Sequence, residues 1–247
     1  DTDALQVLSL VTGPDGGVYA GTAPDGRILK IAANGNVTTL ATTGDKYVFA
    51  LAPAPGGLYA ATGPNGRVLR VSAIGTVTEF ARLPETNVLS LSLLPNGDLL
   101  AGTAPDGLVY RIKPTGAATV AYDAGETNAT AAVETPDGTL YVATAPGSRV
   151  YRVDASGRAD VVLEKPDGNV MELAVGPDGA VYAAGGKKVY RIAPDKTVTT
   201  LDNQDQSQLV ALAFATDGSL VAGSVNTGIV YRTEAATSGV FTSSVMD

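Results

Sequence analysis

Short apolar runs recur along the whole chain, each ended by a cluster of Gly, Pro, Asn or Asp, and no stretch places its apolar residues at helical spacing. Between Val88 and Asn128 four such runs follow one another: Val88 to Leu94, Leu99 to Thr103, Leu108 to Ile112 and Ala117 to Tyr122. The breaks are Pro95-Asn96-Gly97, Ala104-Pro105-Asp106-Gly107 and Pro114-Thr115-Gly116. Pro presets φ, Asn and Asp bond their own backbone, and Gly accepts positive φ, so each break predicts a hairpin connection. The pattern therefore predicts four short antiparallel strands.

Equivalent units open at Val7, Val48, Val88, Ala129, Val170 and Leu209, spaced 39 to 41 residues apart. Six repeats of that period, each with four strands and short turns, predict an all-β, six-bladed β-propeller with four antiparallel strands per blade. First strands such as Leu89 to Leu94 and Met171 to Val175 mix small and branched residues, as expected where neighbouring blades cover both faces. The unbroken repeat predicts one propeller domain over residues 1–247, with blades 7–47, 48–87, 88–128, 129–169, 170–208 and 209–247. Gly239 to Val245 is the candidate fourth strand of the last unit, so ring closure by face packing, without strand exchange, is expected.

Composition narrows the chemistry. Of 247 residues 45% are hydrophobic and 17% charged, which suits a well-buried β fold. A formal charge of −8 argues against nucleic acid, which needs clustered Lys and Arg. No apolar run is long enough to span a membrane as a helix. There is no Cys and no His, which excludes thiolate nucleophiles, Ser-His-Asp systems and His-ligated zinc. Basic residues recur once per unit in the third strand, at Lys30, Arg70, Arg111, Arg152, Arg191 and Arg232, and are expected to pair with loop carboxylates or carbonyls between blades. Turns such as Pro136-Asp137-Gly138 and Pro177-Asp178-Gly179 read as structural. The second-to-third strand loops vary from Gly21–Gly26 to Ala184–Lys187, which marks their face as the binding candidate.

The stretch from Asp137-Gly138-Thr139-Leu140-Tyr141 to Arg149-Val150-Tyr151-Arg152-Val153 resembles the core of an NHL-type repeat, an outline shared with gluconolactonase-like six-bladed propellers. The resemblance runs through all six units. It departs from the NHL pattern at Thr144, and at Thr22, Thr62 and Thr103, where that family usually has Asp. The absence of Trp separates the chain from WD40 and quinone-binding propellers.

One constellation stands out. Gln6, Tyr47, Asn87, Asn128, Asn169 and Gln208 each precede a first strand and form a nearly complete ring of amides, expected at the mouth of the central channel. Two residues earlier stand Asp45, Glu85, Glu126 and Asp167, with Asp205 slightly displaced. Three readings remain open for the ring: structural bonding between blades, a small-molecule or peptide site, or a hard-cation site. In the last, Asn87, Asn128, Asn169, Glu85 and Glu126 would supply oxygens to Ca²⁺. The lactonase resemblance implies Asn ligands at Asn87, Asn128 and Asn169, together with a channel-facing carboxylate that no position of the amide ring provides. The function expected from the sequence is a non-enzymatic binding or scaffolding module, part of a larger exported protein in a secreted or extracytoplasmic setting. It would engage a protein, peptide or glycan through the variable-loop face and need no cofactor. The alternative is a metal-dependent hydrolase with a channel-mouth calcium site.

Overall fold

The computed structural model describes residues 4–13, 15–164, 166–202, 208–225, 229–233 and 242–243. Among these, 24 strands form six four-stranded sheets, each antiparallel and ordered as the chain runs. Blade 1 holds β1 (Gln6–Thr12), β2 (Val18–Ala23), β3 (Arg27–Ile31) and β4 (Val37–Thr42). Blade 2 holds β5 (Tyr47–Ala54), β6 (Gly57–Gly63), β7 (Arg67–Ser72) and β8 (Val77–Arg82). Blade 3 holds β9 (Asn87–Leu93), β10 (Leu99–Ala104), β11 (Leu108–Ile112) and β12 (Ala118–Asp123). Blade 4 holds β13 (Asn128–Glu134), β14 (Leu140–Ala145), β15 (Arg149–Val153) and β16 (Ala159–Glu164). Blade 5 holds β17 (Val170–Val175), β18 (Val181–Gly185), β19 (Lys188–Ile192) and β20 (Val198–Asp202). Blade 6 holds β21 (Leu209–Phe214), β22 (Leu220–Ser224), β23 (Val230–Arg232) and β24 (Thr242–Ser243). Of the expected last strand, only residues 242–243 fall within the described residues. Asp205 lies outside them. No described helix is long and apolar enough to cross a membrane.

The chain divides into two compact units, Asp1–Ala129 and Thr130–Asp247. In the first, one apolar cluster joins blades 1 and 2 through Tyr19, Ile28, Val48, Leu51 and Leu58. A second joins blades 2 and 3 through Tyr59, Val68, Val88, Leu99 and Ile112. In the second unit, Tyr141, Val150, Leu173 and Ile192 join blades 4 and 5, and Tyr182, Val189, Leu209 and Leu220 join blades 5 and 6. Each core thus lies between successive blades. This explains why the second strands are apolar at most positions, since a sheet buried on both faces has no polar side. The second strands are the most deeply set: β6, β10, β14 and β18 are buried throughout.

The third-strand bases pair inside their own blade, which corrects the expectation of contacts between blades. In blade 1 Lys30 reaches back across Tyr19, its cross-strand partner, to Asp15 of the first turn, with Nζ 2.6 Å from Oδ2. Arg191 meets Asp178 at 2.7 Å, Arg111 and Lys113 share Asp98, and Arg232 bonds Asp217. Blade 2 has no acid in that turn, and Arg70 takes the Pro55 carbonyl instead, at 3.0 Å. In blade 4 Asp137 is engaged by Thr135 and Thr139, and Arg152 Nε is buried without a partner. The repeated Pro-Asp-Gly turns are structural for this reason. In blades 1 and 5 the aspartate, Asp15 or Asp178, both closes the turn and seats the base.

Candidate functional site

The face on which sequence reasoning placed the site is built from second-to-third strand loops and from the connections that enter each following blade. In blades 1 to 4 these loops contain a cis X-Pro bond, at Ala23-Pro24, Gly63-Pro64, Ala104-Pro105 and Ala145-Pro146. The recurrent threonine closes the loop from inside. Thr22 Oγ1 accepts from Arg27 N at 3.0 Å, Thr62 Oγ1 lies 3.0 Å from the Arg67 carbonyl, and Thr103 Oγ1 donates to the Leu108 carbonyl at 2.9 Å. A hydroxyl spanning a tight hairpin does here what a free acid cannot do without desolvation cost.

In the first unit the entering connections lock these loops. The Asp45 carbonyl lies against Gly26, the Glu85 carbonyl against Gly66 and the Glu126 carbonyl against Gly107, where a Cβ would collide with it. These glycines also sit at φ of +58, +61 and +60°, so both space and backbone demand glycine. The Asp45 and Glu85 side chains then reach the loop of the blade they enter. Asp45, fully buried at its carboxylate, accepts from Thr62 Oγ1 (2.5 Å), Arg67 Nε (2.9 Å) and Asn65 Nδ2. Burial pushes its carboxyl up, but Arg67, Thr62 and Asn65 outweigh it and hold the group below the usual range. Glu85, also buried, receives Tyr110 Oη and Asp106 N, each at 3.4 Å. In blade 1 the acid belongs to the loop itself: Thr22 donates to Asp25 at 2.6 Å and lowers it, with Arg27 adding to the effect. Blade 2 has Asn65 at that position and imports Asp45 in its place.

The ring residues follow suit. Gln6 is exposed. Tyr47 stacks on Phe49 with centroids 5.3 Å apart, Asn87 is half-buried with its Oδ1 over Gly63, and Asn128 is half-buried at the start of β13. In the second unit Asn169 is exposed and accepts a 2.8 Å bond from Ser148 Oγ, while Asp167 pairs with Lys188 at 3.3 Å. Ser148 occupies the glycine position of blades 1 to 3 at φ +51°, a backbone region that non-glycine residues seldom use. Gln208 is exposed, and its carbonyl accepts from Val225 N at 2.9 Å. Blade 5 replaces the loop by a tight Gly186-Lys187 turn.

These contacts bear on a cation. Asp45 already takes three donors, one on Oδ1 and two on Oδ2, and Glu85 faces a phenol and an amide donor. Among the described residues no three acids are grouped as a metal ion requires.

Sequence reasoning missed Glu172. It occupies in β17 the register position of Ser9, Ala50 and Ser90 in the first unit and Ala211 in the second. Away from strand ends it is the one carboxyl in any described first strand. It is half-buried and receives a 3.2 Å bond from Leu173 N, and burial pushes its carboxyl up to about 7. The signal was present: a single acid inside an apolar first strand, in one repeat of six.

Fold and loop geometry together define a six-bladed β-propeller. No family model matches the sequence, and no curated protein is detectably similar. Among solved structures the chain is similar to virginiamycin B lyase from Staphylococcus aureus, with a TM-score of 0.83 at 16% identity over 98% of this chain and 84% of the lyase. It is similar to XC5397, a gluconolactonase from Xanthomonas campestris, with a TM-score of 0.69 at 16% identity over 85% and 79% of the two chains. It is also similar to regucalcin, a calcium-binding protein from Agrobacterium tumefaciens, with a TM-score of 0.73 at 19% identity over 95% and 91%. At these identities the likeness is one of fold.

Proposed function

We propose that the chain is a non-enzymatic binding or scaffolding propeller that engages a protein, peptide or glycan through its second-to-third strand loops. One observation carries this reading: the carboxylates on that face are spent on holding loops in place, as Asp45 is on Thr62, Asn65 and Arg67. What the face offers outward is a set of exposed tips on rigid hairpins, Pro24-Asp25, Pro64-Asn65 and Pro105-Asp106 in the first unit and Pro146 and Lys187 in the second. Variable tips on a fixed scaffold are how loops are used for recognition. Lyase chemistry that depends on histidine is excluded, since a histidine-to-alanine variant of the Staphylococcus aureus lyase is catalytically inactive and this chain has no His. The test is an array of glycans and peptides probed with the protein and with the triple variant Asp25→Ala, Asn65→Ala, Asp106→Ala. Retention lost in a variant of unchanged melting temperature supports the reading. Retention unaffected by the triple variant contradicts it.

Glu172 favours a second reading, the metal-dependent hydrolase. A carboxyl raised to about 7 is matched to proton transfer at neutral pH. Asn169, one residue before β17 in the same unit, would then be an amide ligand of a cation. A lactone-hydrolysis screen with added Ca²⁺ separates the two: turnover abolished by Glu172→Gln establishes the enzyme, and no turnover with any lactone leaves the binding module.

A further inference from the structure

Blade 2, which packs on blades 1 and 3 of its own unit, departs from the repeat at three positions that come together. Tyr47 stands where the other blades enter their first strand with an amide, and it pairs with Gly63 of β6. Gly63 in turn stands where Ala23, Ala104 and Ala145 precede the cis proline of blades 1, 3 and 4. Phe49 is the residue that a bulge leaves out of the β5 register. At the same bulge β1, β9, β17 and β21 carry Leu8, Leu89, Met171 and Val210. A bulge re-aims its side chain, and here the Phe49 ring stacks on Tyr47 with the planes inclined by 21°. A Cβ on Gly63 would meet both Asn87 Oδ1 and, at 2.8 Å, Phe49 Cε2, so the absent side chain lets the Asn87 amide sit against the edge of the ring pair. The other described ring pairs, Tyr59 with Phe80 and Tyr182 with Phe214, are parts of the cores between blades. Tyr47 and Phe49 belong to neither core of their unit and are half-buried. Neither the Tyr47 hydroxyl nor the Asn87 amide bonds to another described residue.

We propose that Tyr47, Phe49 and Asn87 form a saccharide subsite for one neutral pyranose ring, its C–H face laid on the ring pair and adjacent hydroxyls bonded by the Asn87 amide and the Tyr47 hydroxyl. The inference rests on the reading of this face as a binding surface, and it narrows the ligand from protein, peptide or glycan to glycan. Stacked rings beside a few placed polar groups are how a small-ligand site combines area with orientation. An amide offers a donor and an acceptor in one plane, which matches two neighbouring hydroxyls, one accepting and one donating. A purely apolar ligand would cover the rings and leave amide and phenol desolvated and unpaired. A peptide group satisfies the amide but carries no C–H face to lay on the rings. None of the three side chains carries a charge that would select an ionic ligand.

The test is calorimetric titration and saturation-transfer NMR of the 247-residue chain with methyl hexopyranosides and neutral disaccharides, alongside a peptide library. The variants are Tyr47→Phe, Phe49→Leu and Asn87→Ala. Leucine is what blades 1 and 3 carry at the bulge, so Phe49→Leu keeps the fold, and melting temperatures check all three. The expected result is binding of at least one saccharide, weakened about tenfold by Phe49→Leu and by Asn87→Ala and less by Tyr47→Phe, which removes only the hydroxyl. Saturation should be strongest on the C–H protons of one sugar face. Saccharide binding unmoved by Phe49→Leu and Asn87→Ala overturns the proposal. If the triple variant Asp25→Ala, Asn65→Ala, Asp106→Ala abolishes that same binding, the binding reading stands without this subsite. A peptide that binds where no saccharide does, weakened by the same substitutions, also overturns the proposal. So does the failure of every saccharide to bind, and the wider reading falls with it only if no peptide binds either.

Discussion

A buried carboxylate with three donors and a half-buried one with a single donor behave in opposite ways as pH changes, and Asp45 and Glu172 are that pair. Asp45 is held below its ordinary value in the fold, so the stability it contributes is present above the unfolded pKa and is lost as pH falls through the folded one. Asp15, lowered to about 2 chiefly by Lys30 and then by Tyr19, acts in the same direction between the ordinary value of 3.8 and about 2. Glu172 is raised, so the folded chain holds its proton longer than the unfolded chain. Stability then falls as pH rises from 4.5 to about 7. Glu172→Gln is expected to raise the melting temperature at pH 8 by the equivalent of about 2 kcal/mol and to change little at pH 4.5. Equal melting at pH 8 would show that the carboxyl is not held in an unfavourable setting. Asp45→Ala is expected to cost about 3 kcal/mol, because it leaves Arg67 without its carboxylate, whereas Asp15→Ala in the exposed Lys30 pair should cost clearly less. Chemical denaturation of the two variants checks the ranking, and a double-mutant cycle of Asp45 with Arg67 should show strong coupling.

At the scale of strands and loops, the repeat positions its glycines for two different reasons. Gly35 and Gly66 both have positive φ, but Gly35 stands in open space and Gly66 lies under the Glu85 carbonyl. Gly35→Ala is expected to cost about 1 kcal/mol for the backbone alone. Gly66→Ala should cost clearly more, on the order of 3 kcal/mol, since the entering connection must move as well. Equal losses in urea unfolding would mean that the connection gives way freely. Strand boundaries were legible to within a residue or two: Leu99 to Thr103 was expected where β10 runs Leu99–Ala104, and Leu108 to Ile112 matches β11. Apolar alternation and turn chemistry are local signals. The pairing of Asp45 with Arg67 was not legible, because it spans 22 residues and depends on Asn65 standing where blade 1 has Asp25. The partners of the basic residues were misjudged for a related reason: cross-strand register, which the sequence does not state, brings Lys30 over Tyr19 and so to Asp15.

Over the whole chain, six near-copies of one sheet carry different loop tips, and the differences are where recognition is proposed. Of the amides that the sequence singled out, Asn169 accepts a bond from Ser148 of the neighbouring loop and Asn87 lies over Gly63. Their regular spacing reflects the repeat before it reflects a ligand. The most direct measurement is thermal melting across a calcium titration, with and without chelator. A ligand that binds only the folded protein raises its melting temperature once its concentration exceeds Kd. The account predicts no shift up to millimolar Ca²⁺, in the parent chain or in Asn87→Ala and Asn128→Ala. A calcium-dependent rise that either substitution removes would contradict it and establish the amides as ligands.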